Sequence, residues 1–324
     1  MSSSSGPESV PQIDVAELEQ AEEILVQRPP TERALGEVEA ARGKGKGWIT
    51  AAWAAPGGVW LAFYLLAPLV FIVLVSFWTY EVGAKFGFTT KWTLSNYSAV
   101  LHSSTYWHNM LGSFYTSLIA VAVCLVLGFP IAYFLALKVQ NLRYQIALFV
   151  VALAPFWTSF LVRSVAWTYP FSKYLADPYP LNYLGLHIAT PSVWSVRLAM
   201  IQLYILFMIT PLFFTLAQVD RTALEAARDL GGNWWRTFTA VILPQTLPGI
   251  VIGSIFIFVL TMGEYGTVLV VGQNYVQSVG TIVNSYITNA VQYPQGSAAA
   301  VLLVLALVAG VFVITRFSNL REDL

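Results

Sequence analysis

Charge is what this sequence has least of. Only 10% of its 324 residues are Asp, Glu, Lys or Arg and 57% are hydrophobic, where a soluble domain carries about 25% charged residues. That balance excludes a soluble globular chain and identifies an integral membrane protein. Cysteine is nearly absent. The single Cys124 cannot form an intrachain disulfide or a cysteine-based metal cluster, and its place in an apolar run reads as packing. His102, His108 and His187 lie outside the apolar runs without ligand-like spacing, so no metal site is expected. Hydrolytic and redox signatures are missing too. No glycine-rich loop ends in Gly-Lys-Ser/Thr, and neither His-Glu-x-x-His nor Gly-x-Ser-x-Gly occurs. The chain is therefore not read as an enzyme. It has no expected catalytic residue and no P-loop of its own for ATP, and no nucleic-acid partner is expected.

What charge there is lies unevenly. Nine of the 17 acids precede residue 48: Glu8, Asp14, Glu17, Glu19, Glu22, Glu23, Glu32, Glu37 and Glu39. Residues 1–47 read as a hydrophilic acidic extension. A Ser/Pro/Gly-rich tail, Met1 to Pro11, is expected to be disordered. Ile13 to Val26 can form an amphipathic helix with Val15, Leu18, Ile24 and Leu25 near one face. No apolar signal-peptide core is present there.

Residues 48–324 read as one transmembrane domain. Six apolar runs are each long enough to cross a ~30 Å hydrocarbon core. They are Ala51–Trp78, Gly112–Leu137, Tyr144–Tyr169, Val196–Gln218, Gly249–Val271 and Ser297–Thr315. Trp53, Trp78, Trp157, Trp167, Tyr169 and Trp194 gather near run ends, at headgroup depth. With six spans, twelve cations fall on one side: Arg28, Arg33, Arg42, Lys44, Lys46, Lys138, Arg143, Arg221, Arg228, Arg236, Arg316 and Arg321. Lys85, Lys91, Lys173 and Arg197 fall on the other. The positive-inside rule then places both termini in the cytoplasm. On the far side, Glu81 to Met110 reads as a long aromatic loop and Ser172 to Ser195 as a proline-bearing one. Ile282 to Ala290 reads as a short interfacial or re-entrant helix.

One polar island, residues 220–248, separates the fourth run from the fifth. Thr222 and Glu225 have the spacing of a capping box, and Ala223 to Leu230 favour helix. Gly231-Gly232 can supply a left-handed stop, and Asn233 can cap a second short helix through Trp234, Trp235 and Phe238. Pro244 and Pro248 mark the start of the next long segment. Two ionisable residues lie inside apolar runs, Arg163 in the third and Glu264 in the fifth. A carboxylate at membrane depth is costly unless paired or solvated, so Glu264 is a functional candidate. It either neutralises Arg163 or lines a route for a cationic solute with Tyr265 and the aromatics Trp157 and Tyr169. Gly128-Phe129-Pro130 and Thr210-Pro211 are expected to bend the second and fourth spans.

Glu225-Ala226-Ala227, three residues, Gly231, nine residues, then Val241-Ile242-Leu243-Pro244 resembles the EAA signature of membrane permeases of ATP-binding-cassette importers, with Val241 where isoleucine is usual. Gly128 to Leu135, Leu161 to Trp167, Met262 to Tyr265 and Pro294 to Ala298 resemble the spermidine/putrescine-type permeases. The resemblance covers about residues 50–320 and leaves the acidic extension unmatched. It implies an all-α membrane protein with the six-helix fold of type I importer permeases, lying in a bacterial or archaeal cytoplasmic membrane. A second homologous permease, in a heterodimer, would complete the pathway. A cytoplasmic ATPase dimer using ATP and Mg would receive the coupling segment, formed by Glu225, Ala226, Ala227, Arg228, Asp229, Gly231, Trp235, Leu243 and Pro244. An extracytoplasmic solute-binding protein would deliver a polyamine or similar amine-bearing solute. Related permeases serve opines, sugars, thiamine, iron and oxyanions, so these stay open as cargo. A stand-alone secondary transporter is the competing class. It would need more intramembrane ionisable residues than Arg163 and Glu264.

Overall fold

The structure, a computed structural model, describes residues 47–81, 88–139, 141–171, 191–229 and 231–319. The readings made on the acidic extension, on Lys85, on the loop 172–190 and on Leu230 lie outside the described residues. The chain divides into two compact units, one ending at Leu69 and one running from Val70 to Leu324.

The described part of the first unit belongs to helix α1 (Gly47–Ser76), which carries Pro56 and Pro68 and is apolar on every side. Trp60 and Leu65 are 64% and 69% exposed. A helix without a polar face suits lipid, where its backbone is satisfied internally and its side chains need no water.

In the second unit, α1 ends into a small hairpin that the sequence reading took as loop. Strand β1 (Trp78–Tyr80) pairs antiparallel with β2 (Phe88–Trp92), Tyr80 opposite Phe88. Helix α2 (Ser95–Leu101) follows, and its buried Asn96 donates Nδ2 to the carbonyls of Ser76 (2.9 Å) and Trp78 (2.8 Å). One amide thus satisfies two carbonyls freed where helix turns into strand.

Helix α3 (Ser104–Tyr133) runs unbroken through Pro130 and widens into a π turn, Phe134–Lys138. Gln145 Nε2, on α4 (Leu142–Leu153), donates to the carbonyls of Leu135 (3.0 Å) and Ala136 (3.1 Å). The expected interruption at Gly128-Phe129-Pro130 therefore falls one turn later, where side-chain bonding replaces the regular ladder. The third run, read as one span, is broken. α4 passes through a 3-10 turn, Ala154–Trp157, into α5 (Phe160–Thr168), with an 80° bend. Pro155, which cannot donate to the ladder, stands in that turn.

The fourth span comprises α6 (Val193–Tyr204) and α7 (Leu206–Ala217). Its break is at Ile205, upstream of the expected Thr210-Pro211. The Ile205 carbonyl takes the amides of both Met208 and Ile209 (3.0 Å each), so the ladder tightens about one turn before the proline ring that crowds it. Helices α8 (Arg221–Asp229) and α9 (Trp234–Thr237) form the polar island, and a π turn, Phe238–Ile242, joins α9 to α10 (Leu243–Met262). The second helix of the island is thus the first turn of a continuous 29-residue span, Trp234–Met262. Its length is about 43 Å at 1.5 Å per residue. The π turn absorbs Pro244, and the expected fifth span, Gly249–Val271, is shifted toward the N-terminus. After it come α11 (Gly266–Gly272), α12 (Val279–Thr288) and α13 (Tyr293–Asn319). Helix α12 fits the expected short helix, starting three residues earlier because Ser278 and Thr281 form a capping box. Among the described residues five helices are long and apolar enough to cross a membrane, and the bent α4–α5 pair brings the number to six if it is counted as one broken span.

The core is the seam of α3, α7 and α10, filled by Cys124, Ala132, Met208, Leu212, Leu216 and Ile257. Without a hydrophobic force between helices in lipid, close backbone approach does the holding. Gly253 supplies it: a Cβ there would lie 2.6 Å from Met208 Sδ and 3.2 Å from Met208 Cα. Gly249, one turn earlier, is just as confined: a Cβ there would lie 2.8 Å from the Pro211 carbonyl oxygen. Gly253→Leu is therefore expected to cost about 1–3 kcal/mol, lowering the unfolding temperature of the detergent-purified protein by several degrees. Gly112→Ala, whose Cβ meets nothing within 4 Å, should leave that temperature unchanged.

Candidate functional site

The polar island begins with Asp220, whose Oδ1 accepts from the Thr222 amide (2.8 Å) and hydroxyl (2.7 Å). This corrects the expected Thr222–Glu225 capping box. The helix starts two residues earlier than that box requires, so Thr222 sits inside α8 and Asp220 is the cap. Those bonds, the hydroxyl first, hold the Asp220 carboxyl below its usual range. The cap is complete above the unfolded carboxylate value of about 3.9. It disappears as pH falls through the lowered value of the folded chain.

Leu224 packs against the core seam and fixes the inner face of α8. Glu225, Ala226 and Asp229 are exposed and Ala227 is half-buried. The Arg228 side chain lies outside the described residues. Gly231 stops the helix at φ 75°, and the Gly232 amide reaches back to the Ala227 carbonyl (3.0 Å). Only glycine takes that backbone freely. Asn233 Oδ1 then caps α9 by accepting from the Arg236 amide (2.9 Å), as its position suggested. Trp234 stacks on Phe238 at 5.3 Å, and Trp234 and Trp235 remain 57% and 64% exposed. The ledge they make beside Glu225 is polar on α8 and aromatic on α9. Leu243 and Pro244 lie beyond it, in the first turn of α10.

At the other end of the Trp234–Met262 rod the chain leaves the helix at Gly263-Glu264-Tyr265. Glu264 is not mid-span but in this break. Glycine and a carboxylate that finds its donors outside the helix stop it where hydropathy alone runs on. Its Oε1 accepts from the Thr267 amide (2.7 Å), capping α11, and its Oε2 accepts from the Tyr204 hydroxyl. Ser278 Oγ donates to the Glu264 carbonyl at 2.8 Å. Tyr204 was not singled out by sequence. It lies 60 residues away on α6, and no local pattern links the two.

Helix α5 covers the break. Ser164 Oγ lies 3.5 Å from Thr267 Oγ1, and Phe160 stacks over Tyr204 at 6.4 Å. Arg163, on the same helix, does not neutralise Glu264. Its Nε and Nη1 are buried without a hydrogen-bond partner among the described residues, and the Glu264 carboxylate is held by Tyr204 and Thr267 instead. Tyr265 stands half-exposed beside the break. Trp157 and Tyr169, expected on the same route, are 82% and 75% exposed. Among the described residues neither touches the Glu264 carboxylate. They sit at opposite ends of the α5 segment, and aromatic placement near a run end does not specify which face a ring takes. Trp167 turns inward, donating Nε1 to Gln202 Oε1 (2.8 Å).

Comparison with known proteins matches this architecture. The family described as "Binding-protein-dependent transport system inner membrane component" matches residues 125–322, from α3 to the end of the bundle. The chain is 32% identical to the spermidine/putrescine transport system permease protein PotB of Haemophilus influenzae, over 81% of this chain and 91% of that one. It is 31% identical to PotB of Escherichia coli, over 81% and 94%. Among solved structures it shares its fold with a chain of a bacterial alginate ABC transporter, determined in complex with an alginate-bound periplasmic protein. The TM-score is 0.59 and the identity 15%, over 86% of this chain and 96% of that one. The chain belongs to the family of binding-protein-dependent transport system inner membrane components, and it is a multi-pass permease subunit of an ABC importer.

Proposed function

We propose that this permease imports a polyamine or similar small amine-bearing solute, and that the Trp234–Met262 helix transmits motion between an ATPase-docking ledge and the Glu264 break. The observation that carries this reading is the continuity of that helix. It begins at the exposed Trp234-Trp235 pair and ends one residue short of Gly263-Glu264.

In this reading the ledge of Glu225, Ala226, Ala227, Arg228, Asp229 and Trp235 seats in a cleft of a cytoplasmic ATPase, and both termini lie on that side. The capped α8 and the left-handed turn at Gly231 make the ledge stiff, so it can push rather than fold. A partner ATPase dimer uses ATP and Mg, and its closure moves the rod against the α3 and α7 seam. A second, homologous permease, as a heterodimer, faces the break and completes the path. A solute-binding protein feeds the opposite end, away from α8. The solute's ammonium is drawn to Glu264, whose Oε2 accepts from a neutral phenol, Tyr204, and gains a stronger, charge-assisted bond from a cationic donor. The half-exposed ring of Tyr265 beside the break adds a face that favours cations. Arg163, unpaired and on α5, opposes a second cation at the same point and so limits occupancy. The polyamine assignment is supported by the PotB relatives, whose named substrates are spermidine and putrescine.

Four outcomes are expected from the full transporter reconstituted in liposomes. Glu264→Gln lowers putrescine uptake efficiency by about tenfold or more, near 1.4 kcal/mol, with normal assembly. Tyr204→Phe stays within about threefold of wild type, because the carboxylate that meets the amine is retained. Unchanged uptake in Glu264→Gln would make that residue only the cap of α11. Gly231→Val forces a β-branched residue to φ 75°, about 1–3 kcal/mol of strain at the turn. It should leave the complex assembled but abolish stimulation of ATPase activity by the loaded binding protein; normal stimulation would contradict the coupling role. At neutral pH Asp220→Ala should weaken that stimulation more than Asp220→Asn, which keeps an oxygen acceptor for the Thr222 amide.

A further inference from the structure

A cavity of about 770 Å³ opens at the end of the bundle away from α8, between the first turns of α3, the start of α6 and the turn 273–278. That is the size range of small-ligand sites, roughly 300–1,000 Å³. Its lining mixes apolar side chains such as Val196 and Met200 with the polar Ser104, His108, Asn109 and Gln277, and among the described residues it holds one formal charge, Arg197. No Asp or Glu lines it among the described residues. The guanidinium is set rather than loose. Nε donates to Thr116 Oγ1 at 3.2 Å, and Cζ lies 4.8 Å from the centroid of the Trp194 ring. Those two contacts fix the guanidinium plane. Among the described residues they leave its Nη edge without a protein partner.

We propose that this cavity is a binding site for a carboxylate group, held by the free edge of Arg197. Two parallel N–H donors in one plane match the two oxygens of a carboxylate. A half-buried cation without an anion is costly, so the cavity selects a group that supplies one. An ammonium finds no counter-charge here, which separates this site from the Glu264 break. The assignment stands independently of the amine reading of that break. The carboxylate can come from a free solute or from an acidic side chain of the solute-binding protein seated on this end, and both use the same chemistry.

The test uses the intact transporter in nanodiscs, with two arms and three variants. In the first arm, succinate alone is titrated by calorimetry. In the second, affinity for the cognate solute-binding protein is measured. Arg197→Gln should lose at least tenfold in one arm and Arg197→Lys should recover most of it. A loss in the succinate arm identifies a free carboxylate; a loss only with the binding protein identifies its acidic side chain. Gly112→Met is the independent variant. A Cβ at Gly112 meets no atom within 4 Å, so the added side chain enters the cavity with Arg197 left in place. It should reproduce the loss, and it decides the matter if Arg197→Gln fails to assemble. Wild-type behaviour of Arg197→Gln or of Gly112→Met in both arms overturns the proposal.

Discussion

The close approach of α10 to α7, with Gly249 and Gly253 against Pro211 and Met208, is the constraint on which the rest of the second unit depends. Lipid gives two helices no hydrophobic reason to associate. Backbone contact has to replace it, and the glycines make that contact possible. The seam fixes α10 as a rod, and both functional ends are attached to that rod. At one end Asn233, Gly231 and Asp220 set the geometry of a short exposed helix. At the other, Gly263 lets the chain turn so that a carboxylate caps α11.

The Glu264 break shows how such a group is kept at membrane depth. A lone carboxylate there would be costly. The cost is met locally by one backbone amide and one phenol, without an ion pair. Neither donor carries a full charge, so a cation arriving at the site does not have to displace one. Arg163 stays on the neighbouring helix, and among the described residues its Nε and Nη1 have no hydrogen-bond partner. A tight Glu264–Arg163 pair would have made the carboxylate expensive to recruit for any other partner. The cavity at Arg197 has the opposite sign, so the same end of the bundle offers an anionic and a cationic contact in different places.

Features governed by nearest neighbours were legible in the sequence. Gly231 as a left-handed stop and Asn233 as a cap depend on a few consecutive residues, and both stand as read. The five long apolar helices follow from run length and hydropathy, and the third run is the one that the structure bends into a pair. What failed was what depends on distant or compensating contacts. Thr222 looked like a cap because Glu225 followed it, yet Asp220 is a stronger acceptor one step from the helix start. Pro130 and Pro211 were read as the points of bending. The irregularity appears a turn away, because the crowded carbonyl lies before the ring and side chains such as Gln145 take up freed groups after it. Glu264 was singled out for its charge but placed inside the fifth span, since hydropathy averages across a break three residues long. Tyr204 and the unpartnered state of Arg163 could not be read at all. They are properties of how α5, α6 and α11 meet.

The rod itself is the central claim. Cys124 is the single native cysteine and is buried, so exposed Trp235 and Tyr265 can be replaced by cysteine and spin-labelled. Electron–electron distance measurements on the reconstituted transporter then compare nucleotide-free and ATP-trapped states. The account predicts one unchanged intramolecular distance between the two labels, while the distance from each label to its counterpart in the facing permease shifts. An intramolecular distance that changes with nucleotide would contradict it, because Trp234–Met262 would then be a hinge and not a transmitting helix.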